Sequence, residues 1–562
     1  MGKPENKSKN YSTYSWLAFY AILAILVRLF VASMETEVGV DSVHYILMGD
    51  NIAHGRGFDT WNTTGGTWTL PPTFPILIAL FIKLGANLEW AGHLASVFAG
   101  TTVLFPVYFL TKRLFGGLAA TASATITIFT PILVDYSAVI LTELLFASCV
   151  LYMILFALRA FSEKGTITDS LISGIFCGLG YLTKTFGIFT LPFLLAGFLF
   201  SRGGKSNLPP IKQTGISLLG FLILAVPYWI FLFNYYGEFV LDGKGIGQEN
   251  RIWARNLNEE HRDPRYSGEL TSDGSDFEIN VYPHGEKPEW ASTGWLISNF
   301  PKKYVQKLIR IYQDFPSTPT YPNNVLPLYL LPIILFGLGL FTGKERWKDF
   351  HARRFAVYWL CPFIFGLPII FVEVRYYVPV VALLVPLMSL GAVVLSDWIS
   401  NSFERIDSRQ GFAIVMVLYM LIALPKIMYK YTHRDDPFVS YNPREVAAEW
   451  LTSNIDVPGN IMEYGHSVSF YAGAQSILIP DGDLNDVIRI ARKYDAPLLS
   501  LDEFYLLRAN RRPQLNYLFD TEIDPPDGLV RIYTDERYPG LKHVIYLIED
   551  VGDYDMDSSE EQ

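Results

Sequence analysis

The sequence predicts a polytopic α-helical membrane protein, with about eleven transmembrane helices and a small extracytoplasmic α/β domain at the C-terminus. Three observations carry this. Of the 562 residues, 50% are hydrophobic and only 18% charged, with a mean hydropathy of +0.24, a composition that excludes an ordinary soluble enzyme. The apolar residues gather in runs of roughly 18 to 23, long enough to cross a hydrocarbon core about 30 Å thick. After Tyr431 the chain becomes charged and alternates helical and strand patterns.

The spans follow from length and from the placement of basic residues, which resist translocation in short loops. Lys3, Lys7 and Lys9 keep the amino terminus cytoplasmic. A first helix over about 16–34 delivers Glu35, Glu37 and Asp41 to the outside; no small-residue cleavage site follows it, so it reads as a span and not as a signal peptide. PPTFPILIALFIKLG (71–85) begins at Pro-Pro and is too short to span comfortably, which makes it an outer re-entrant or interfacial helix. The run over about 91–111 then travels inward to Lys112 and Arg113, and helices over about 117–134 and 141–160 rise and return to Arg159 and Lys164. Two short segments, about 171–185 and 187–200, form a hairpin ending at Arg202, Lys205 and Lys212. A helix over about 214–236 leads to a long external polar loop, about 238–325, and spans follow near 326–342, 355–372, 376–397 and 411–428. Every basic loop then falls on one side.

Residues 1–430 thus form a membrane domain with external loops 35–90 and 238–325, and residues 431–562 an external α/β domain. In the latter, EVAAEWL and DLNDVIRIARKY read as helices, NIMEY and APLLSL as strands, and YGHSVSFYAGA as a strand-to-helix turn. The acidic tail DMDSSEEQ reads as disordered. The net charge of -10 offers no basic face for nucleic acid. Cys149, Cys177 and Cys361 lie inside apolar runs without metal spacing and read as small hydrophobes.

Ionisable groups in or beside membrane segments are costly to keep there, so they are the first candidates for function. In EVGVDSVHYILMGDNIAHG, helical spacing puts Asp41, His44 and Tyr45 on one face, and a carboxylate there can take a proton from an acceptor hydroxyl. Asp is also a favoured helix N-cap. Arg28 near the outer end of the first span, Glu143 in LTELLF, Lys184 at the tip of GLGYLTKTFG, and Glu373 and Arg375 in FVEVRYYVP are expected at the same membrane level. Singly, arginines snorkel and neighbouring charges pair. Together, cations and carboxylates beside an apolar groove suit a phosphate attached to a lipid. Glu35, Glu37 and Asp41 are the acids that could gather Mg²⁺ or Mn²⁺, although clustered acids on a loop are more often only solvated. No metal ligand set is assigned and the cofactor is left open.

The ordered motifs VRLF, VGVDSVHY, PPTFPILIALFIKLG, KRLFGG, LTELLF, GLGYLTKTFGIFTLP and VRYYVPVVALLVP span about residues 14–400. In this the chain resembles the GT-C fold glycosyltransferases that use polyprenyl-phosphate sugars, in the protein O-mannosyltransferase and lipid A aminoarabinose transferase superfamily. The resemblance implies a mannosyltransferase-like enzyme of the hexosyl- or pentosyltransferase class. It would move a sugar from a dolichyl- or undecaprenyl-phosphate donor to a protein, lipid or glycan acceptor on the extracytoplasmic face of the cell membrane, with inversion. It implies Asp41 and Glu143 as catalytic carboxylates. Lys184, Arg375 and Tyr376 would lie near the lipid phosphate, and His44 and Tyr45 follow Asp41 where the family often has polar or aromatic residues; Arg28 and Glu373, singled out above as costly charges, join His44 and Tyr45 as candidates for substrate contact. Asp41 is followed by Ser42 where mannosyltransferases commonly have a second acid, and TWNTTGGTWTLPP lacks the basic residue of the aminoarabinose branch.

Two other classes compete. A secondary transporter would show an inverted repeat and charges near the midplane, and the sequence shows neither. A membrane-anchored binding protein would act through the external domain, which carries no nucleophile elbow, P-loop or dinucleotide fingerprint.

Overall fold

A computed structural model describes residues 7–58, 70–199, 208–237, 326–341, 374–508 and 512–551, with short pieces between 239 and 306 and at 358–359. The expected span at 355–372, most of the 238–325 loop, Cys361, Glu373 and the acidic tail lie outside the described residues. The chain divides into two compact units. The first comprises Met1–Glu35, Pro71–Asp242 and Lys302–Thr432; the second comprises Thr36–Leu70, Gly243–Pro301 and His433–Gln562. Sequence grouped the 35–90 loop with the spans, whereas Thr36–Leu70 falls in the second unit.

Among the described residues of the first unit, six helices are long and apolar enough to cross a membrane, and five shorter apolar helices of 10–17 residues accompany them. This is a multi-pass membrane protein. The 71–85 segment is a helix of 11 residues, Thr73–Lys83, as its length requires. The span expected at 91–111 runs from Leu88 to Phe115 with an interruption at Val103 between two helices. Pro106 accounts for the break, because it has no N–H for the Thr102 carbonyl. Proline also corrects the expected 117–134 helix. It ends at Phe129, and Thr130, held extended ahead of Pro131, separates it from a short turn of helix at Pro131–Asp135.

The Ile167–Thr183 helix starts with a capping box between Thr166 and Asp169. It packs backbone to backbone on the Pro210–Tyr236 helix. A Cβ on Gly174 would lie 1.9 Å from the Ser217 carbonyl oxygen, and one on Gly220 would lie 2.4 Å from that of Leu171. Small residues permit this approach where lipid supplies no hydrophobic drive between helices. The helices Leu326–Phe341, Val378–Ser402 and Ser408–Ile427 complete the described bundle.

In the second unit, a five-stranded sheet is built from β3 (Asn460–Glu463), β4 (Gln475–Leu478), β5 (Leu498–Asp502), β6 (Leu529–Asp535) and β7 (His543–Ile548), in the order β4-β3-β5-β7-β6. A separate antiparallel pair, β1 (Ser267–Leu270) and β2 (Phe277–Ile279), precedes it. β3 runs parallel to β4 and β5, whereas β7 is antiparallel to β5 and β6. Helices Pro443–Asn454, Ser467–Ala472 and Leu484–Lys493 cover it. The helix and strand patterns read between 445 and 501 all appear. The loop helix Val40–Ala53, carrying Asp41, also belongs to this unit.

Candidate active site

Four of the expected residues meet in the first unit. Glu143 opens the Glu143–Ala160 helix, where the partial positive charge of the N-terminus favours a carboxylate. Lys184 follows the last residue of the Ile167–Thr183 helix in extended conformation, and a 3₁₀ turn, Thr185–Phe189, folds back beside it. Gly187 allows that fold-back, since a Cβ there would lie 2.7 Å from the Gly180 carbonyl carbon and the Tyr181 nitrogen. The Lys184 Nζ donates to Glu143 Oε1 at 2.6 Å, with side-chain exposures of 20% and 2%. The same ammonium lies 4.3 Å from the centre of the Tyr376 ring. Arg375, in the 3₁₀ turn Val374–Tyr377, brings its guanidinium carbon to 5.4 Å from that ring. One aromatic ring is therefore close to two cations. The buried Glu143 Oε2 has no hydrogen-bond partner among the described residues. The group offers two positive charges, one negative charge and one free acceptor oxygen.

Arg28 is not part of that group. It is fully buried and donates to the carbonyls of Ala24 and Thr127, both at 3.2 Å. Glu35 pairs with Lys430 at 2.5 Å.

Asp41, His44 and Tyr45 lie in the second unit on the predicted helix. Gly39 is its N-cap and Asp41 sits in its first turn. Tyr45 is buried, and the half-buried His44 ring lies 5.0 Å from the ring of His466. Sequence reasoning marked the segment containing His466 only as a turn. Burial, then the neighbouring His44, pushes the His466 imidazole down to about 3, so it is neutral near pH 7 and its Nδ1 pairs with Ser476 Oγ at 2.6 Å. Glu463 is buried and accepts from the backbone nitrogens of Val468 and Ser469 at 3.0 and 2.9 Å. Burial raises its carboxyl despite these bonds.

A polar chain that the sequence did not reveal runs through this unit. Arg444 Nη1 donates to Glu37 Oε1 at 2.5 Å, and its Nε and Nη2 grip Asp502 at 2.9 and 3.2 Å. His543 Nδ1 lies 3.6 Å from Asp502, and His543 Nε2 lies 2.9 Å from Ser500 Oγ. Burial alone would raise Asp502, but His543 and Arg444 outweigh it and hold the carboxyl well below the usual range. Ser500, His543 and Asp502 imitate a hydrolase triad. Ser500 is only 2% exposed, on the paired strands β5 and β7, so no substrate carbonyl reaches it and the chain is structural.

The acids do not fit a metal. Glu37 is committed to Arg444 and Glu35 to Lys430, and no group of three or more His, Cys, Asp or Glu among the described residues could hold an ion.

Residues 69–231, which include Glu143 and Lys184, match the family model described as dolichyl-phosphate-mannose-protein mannosyltransferase. The fold is similar to that of ArnT from Cupriavidus metallidurans in the apo state, with a TM-score of 0.58 at 12% identity, over 95% of this chain and 98% of that one. The chain has the GT-C fold. The same ArnT bound to undecaprenyl phosphate matches equally, over 96% and 99% of the two chains with a TM-score of 0.58 and 12% identity. The archaeal oligosaccharyltransferase AglB from Archaeoglobus fulgidus, in complex with an inhibitory peptide and a dolichol-phosphate, matches at 15% identity with a TM-score of 0.56, over 88% of this chain and 70% of that one. No curated protein matches the sequence.

Proposed function

We propose that the chain is a glycosyltransferase that takes its sugar from a polyprenyl phosphate, dolichyl or undecaprenyl, and passes it to an acceptor hydroxyl or amine on the extracytoplasmic face. The observation that carries the reading is the Glu143–Lys184–Tyr376–Arg375 group, where two cations converge with one buried carboxylate. Lys184 and Arg375 hold the donor phosphate, as a point charge and a planar fork respectively. Glu143 fixes the lysine through one oxygen and accepts a hydrogen bond from the donor sugar through the other. Asp41 takes the proton from the acceptor, whose oxygen or nitrogen attacks the anomeric carbon. The bond from that carbon to the phosphate oxygen breaks and the polyprenyl phosphate leaves with the electron pair, its charge stabilised by Lys184 and Arg375. A single displacement inverts the anomeric centre. His44 and Tyr45 follow Asp41 one turn on, and we assign them and Glu373 to substrate contacts, whereas Arg28, fully buried, is assigned to holding the first span against the Thr127 carbonyl.

The solved relatives with bound undecaprenyl phosphate and dolichol-phosphate support the donor class. The test is transfer in membranes containing Asp41→Asn, supplied with dolichyl-phosphate or undecaprenyl-phosphate sugars. Loss of transfer with normal membrane insertion is expected. Undiminished transfer removes Asp41 from the chemistry.

A further inference from the structure

The Val40–Ala53 helix does not hold its own entry. Its N-cap, Gly39, has no side chain to cap with, and the three residues before it are instead held by side chains more than 400 positions away. Asn442 Nδ2 donates to the Thr36 carbonyl at 2.8 Å, and Thr36 Oγ1 donates to that of Val439 at 3.4 Å. The Val38 nitrogen donates to the Tyr471 hydroxyl at 3.3 Å, and Ser467 Oγ donates to the Val38 carbonyl at 3.3 Å. Between these bonds, Glu37 Oε1 takes the Arg444 Nη1 at 2.5 Å and the Tyr505 hydroxyl at 3.2 Å.

The location matters as much as the bonds. Ser467 follows β3 and Tyr505 follows β5, so Thr36–Val38 lies at the carboxyl ends of parallel strands, where open α/β sheets ordinarily take ligands. Arg444 is itself fixed by the bidentate grip on Asp502 and stacks 4.3 Å from the Tyr505 ring. A second point of attachment comes one turn into the helix, where His44 meets His466. Asp41 sits between the two attachments, with only Gly39 and Val40 separating it from the clamped backbone.

We propose that the C-terminal α/β domain is a positioning clamp for the Asp41 helix, in which Arg444 acts through Glu37, and Ser467 and Tyr471 act through the Val38 backbone. This rests on the assignment of Asp41 above. Arg444 is a positioning residue and touches no reactant. A small displacement of a reacting group costs rate more than affinity, so the clamp governs turnover and leaves donor binding alone.

The experiment uses the full chain in lipid nanodiscs. Arg444→Met would strand the buried Asp502, so the variants are Glu37→Gln, on a side chain 44% exposed, and Tyr471→Phe. Deuterium exchange is followed in peptides covering 38–45 and in β3, β5 and β7. Exchange over 38–45 is expected to quicken about tenfold, the scale of one lost hydrogen bond, with the strands unchanged. With dolichyl-phosphate mannose as donor, kcat should fall roughly 10- to 100-fold at constant donor KM. Wild-type exchange in both variants overturns the clamp. So does faster exchange with unchanged kcat while Asp41→Asn abolishes transfer, because the contact would then be structural only. If Asp41→Asn transfers normally, the catalytic assignment fails, and exchange alone still decides whether the domain fixes the helix.

Discussion

Replacing Lys184 by methionine keeps most of the side-chain volume and removes the charge that faces Glu143. The carboxylate left behind is 2% exposed and already has one oxygen without a hydrogen-bond partner among the described residues. Removing one partner of a buried ion pair costs about 3–5 kcal/mol, because the remaining charge is stranded. A fifth of the Lys184 side chain is exposed, so solvent screens the pair and the lower end, about 3 kcal/mol, is expected. The contact with the Tyr376 ring at 4.3 Å adds roughly 0.5–1 kcal/mol. Replacing both partners, as Glu143→Leu with Lys184→Met, removes the stranded charge and should recover most of the stability, since apolar replacement of a buried pair is often neutral. The assay is thermal unfolding in detergent of the four proteins of the cycle, alongside sugar transfer. The expected pattern is a destabilised Lys184→Met protein, a restored double variant, and no transfer from either. A Lys184→Met protein as stable as wild type would refute the buried-pair argument, and a double variant that transfers normally would refute the role of this group.

Other outcomes follow from packing and charge. Gly174→Val drives a side chain into the Ser217 carbonyl, 1.9 Å from the new Cβ. It should cost more than the 1–3 kcal/mol typical of overpacking, seen as a lower yield of folded protein, whereas Gly215→Ala, with nothing within 4 Å, should behave as wild type. His466 has a folded pKa of about 3 against 6.5, so below pH 6.5 the unfolded chain binds a proton that the folded chain refuses. Stability should therefore fall by up to about 1.4 kcal/mol per pH unit between pH 6.5 and 3, and His466→Asn should flatten that slope in acid-unfolding curves followed by tryptophan fluorescence. Ser500→Ala should cost about 1 kcal/mol through the lost bond to His543 while leaving transfer intact, and the wild-type serine should resist a fluorophosphonate probe.

The sequence disclosed what depends on neighbours and concealed what depends on distant partners. Span positions follow from apolar run length, and most of the helix and strand order of the C-terminal domain follows from periodicity. The breaks at Val103 and Thr130 were also local, since Pro106 and Pro131 are visible, but an uninterrupted apolar pattern hid them. Lys184 could be singled out because a charge in GLGYLTKTFG has no cheap explanation. Its partner Glu143 is 41 positions away and could be matched only as another costly charge. Arg28 drew attention on the same ground, yet its two terminal nitrogens donate to backbone carbonyls, one of them 99 positions away, and backbone acceptors leave no trace in a sequence. Glu37 and Arg444 are 407 positions apart, and each looks like an ordinary surface charge until the fold joins them.

On the proposed assignment of Lys184 and Arg375 to a lipid phosphate, the aromatic ring beside them follows from what that anion requires. Two cations brought together away from bulk water repel each other whenever the anion is absent, and something must hold them. The ring of Tyr376 attracts both cations through its quadrupole without carrying net charge, at 4.3 Å and 5.4 Å from its centre. Glu143 meanwhile engages Lys184 through one oxygen. On the proposed reading a neutral ring suits an anion that arrives bound to a sugar and leaves with a fuller charge, since the same cations would stabilise the departing phosphate more than the donor.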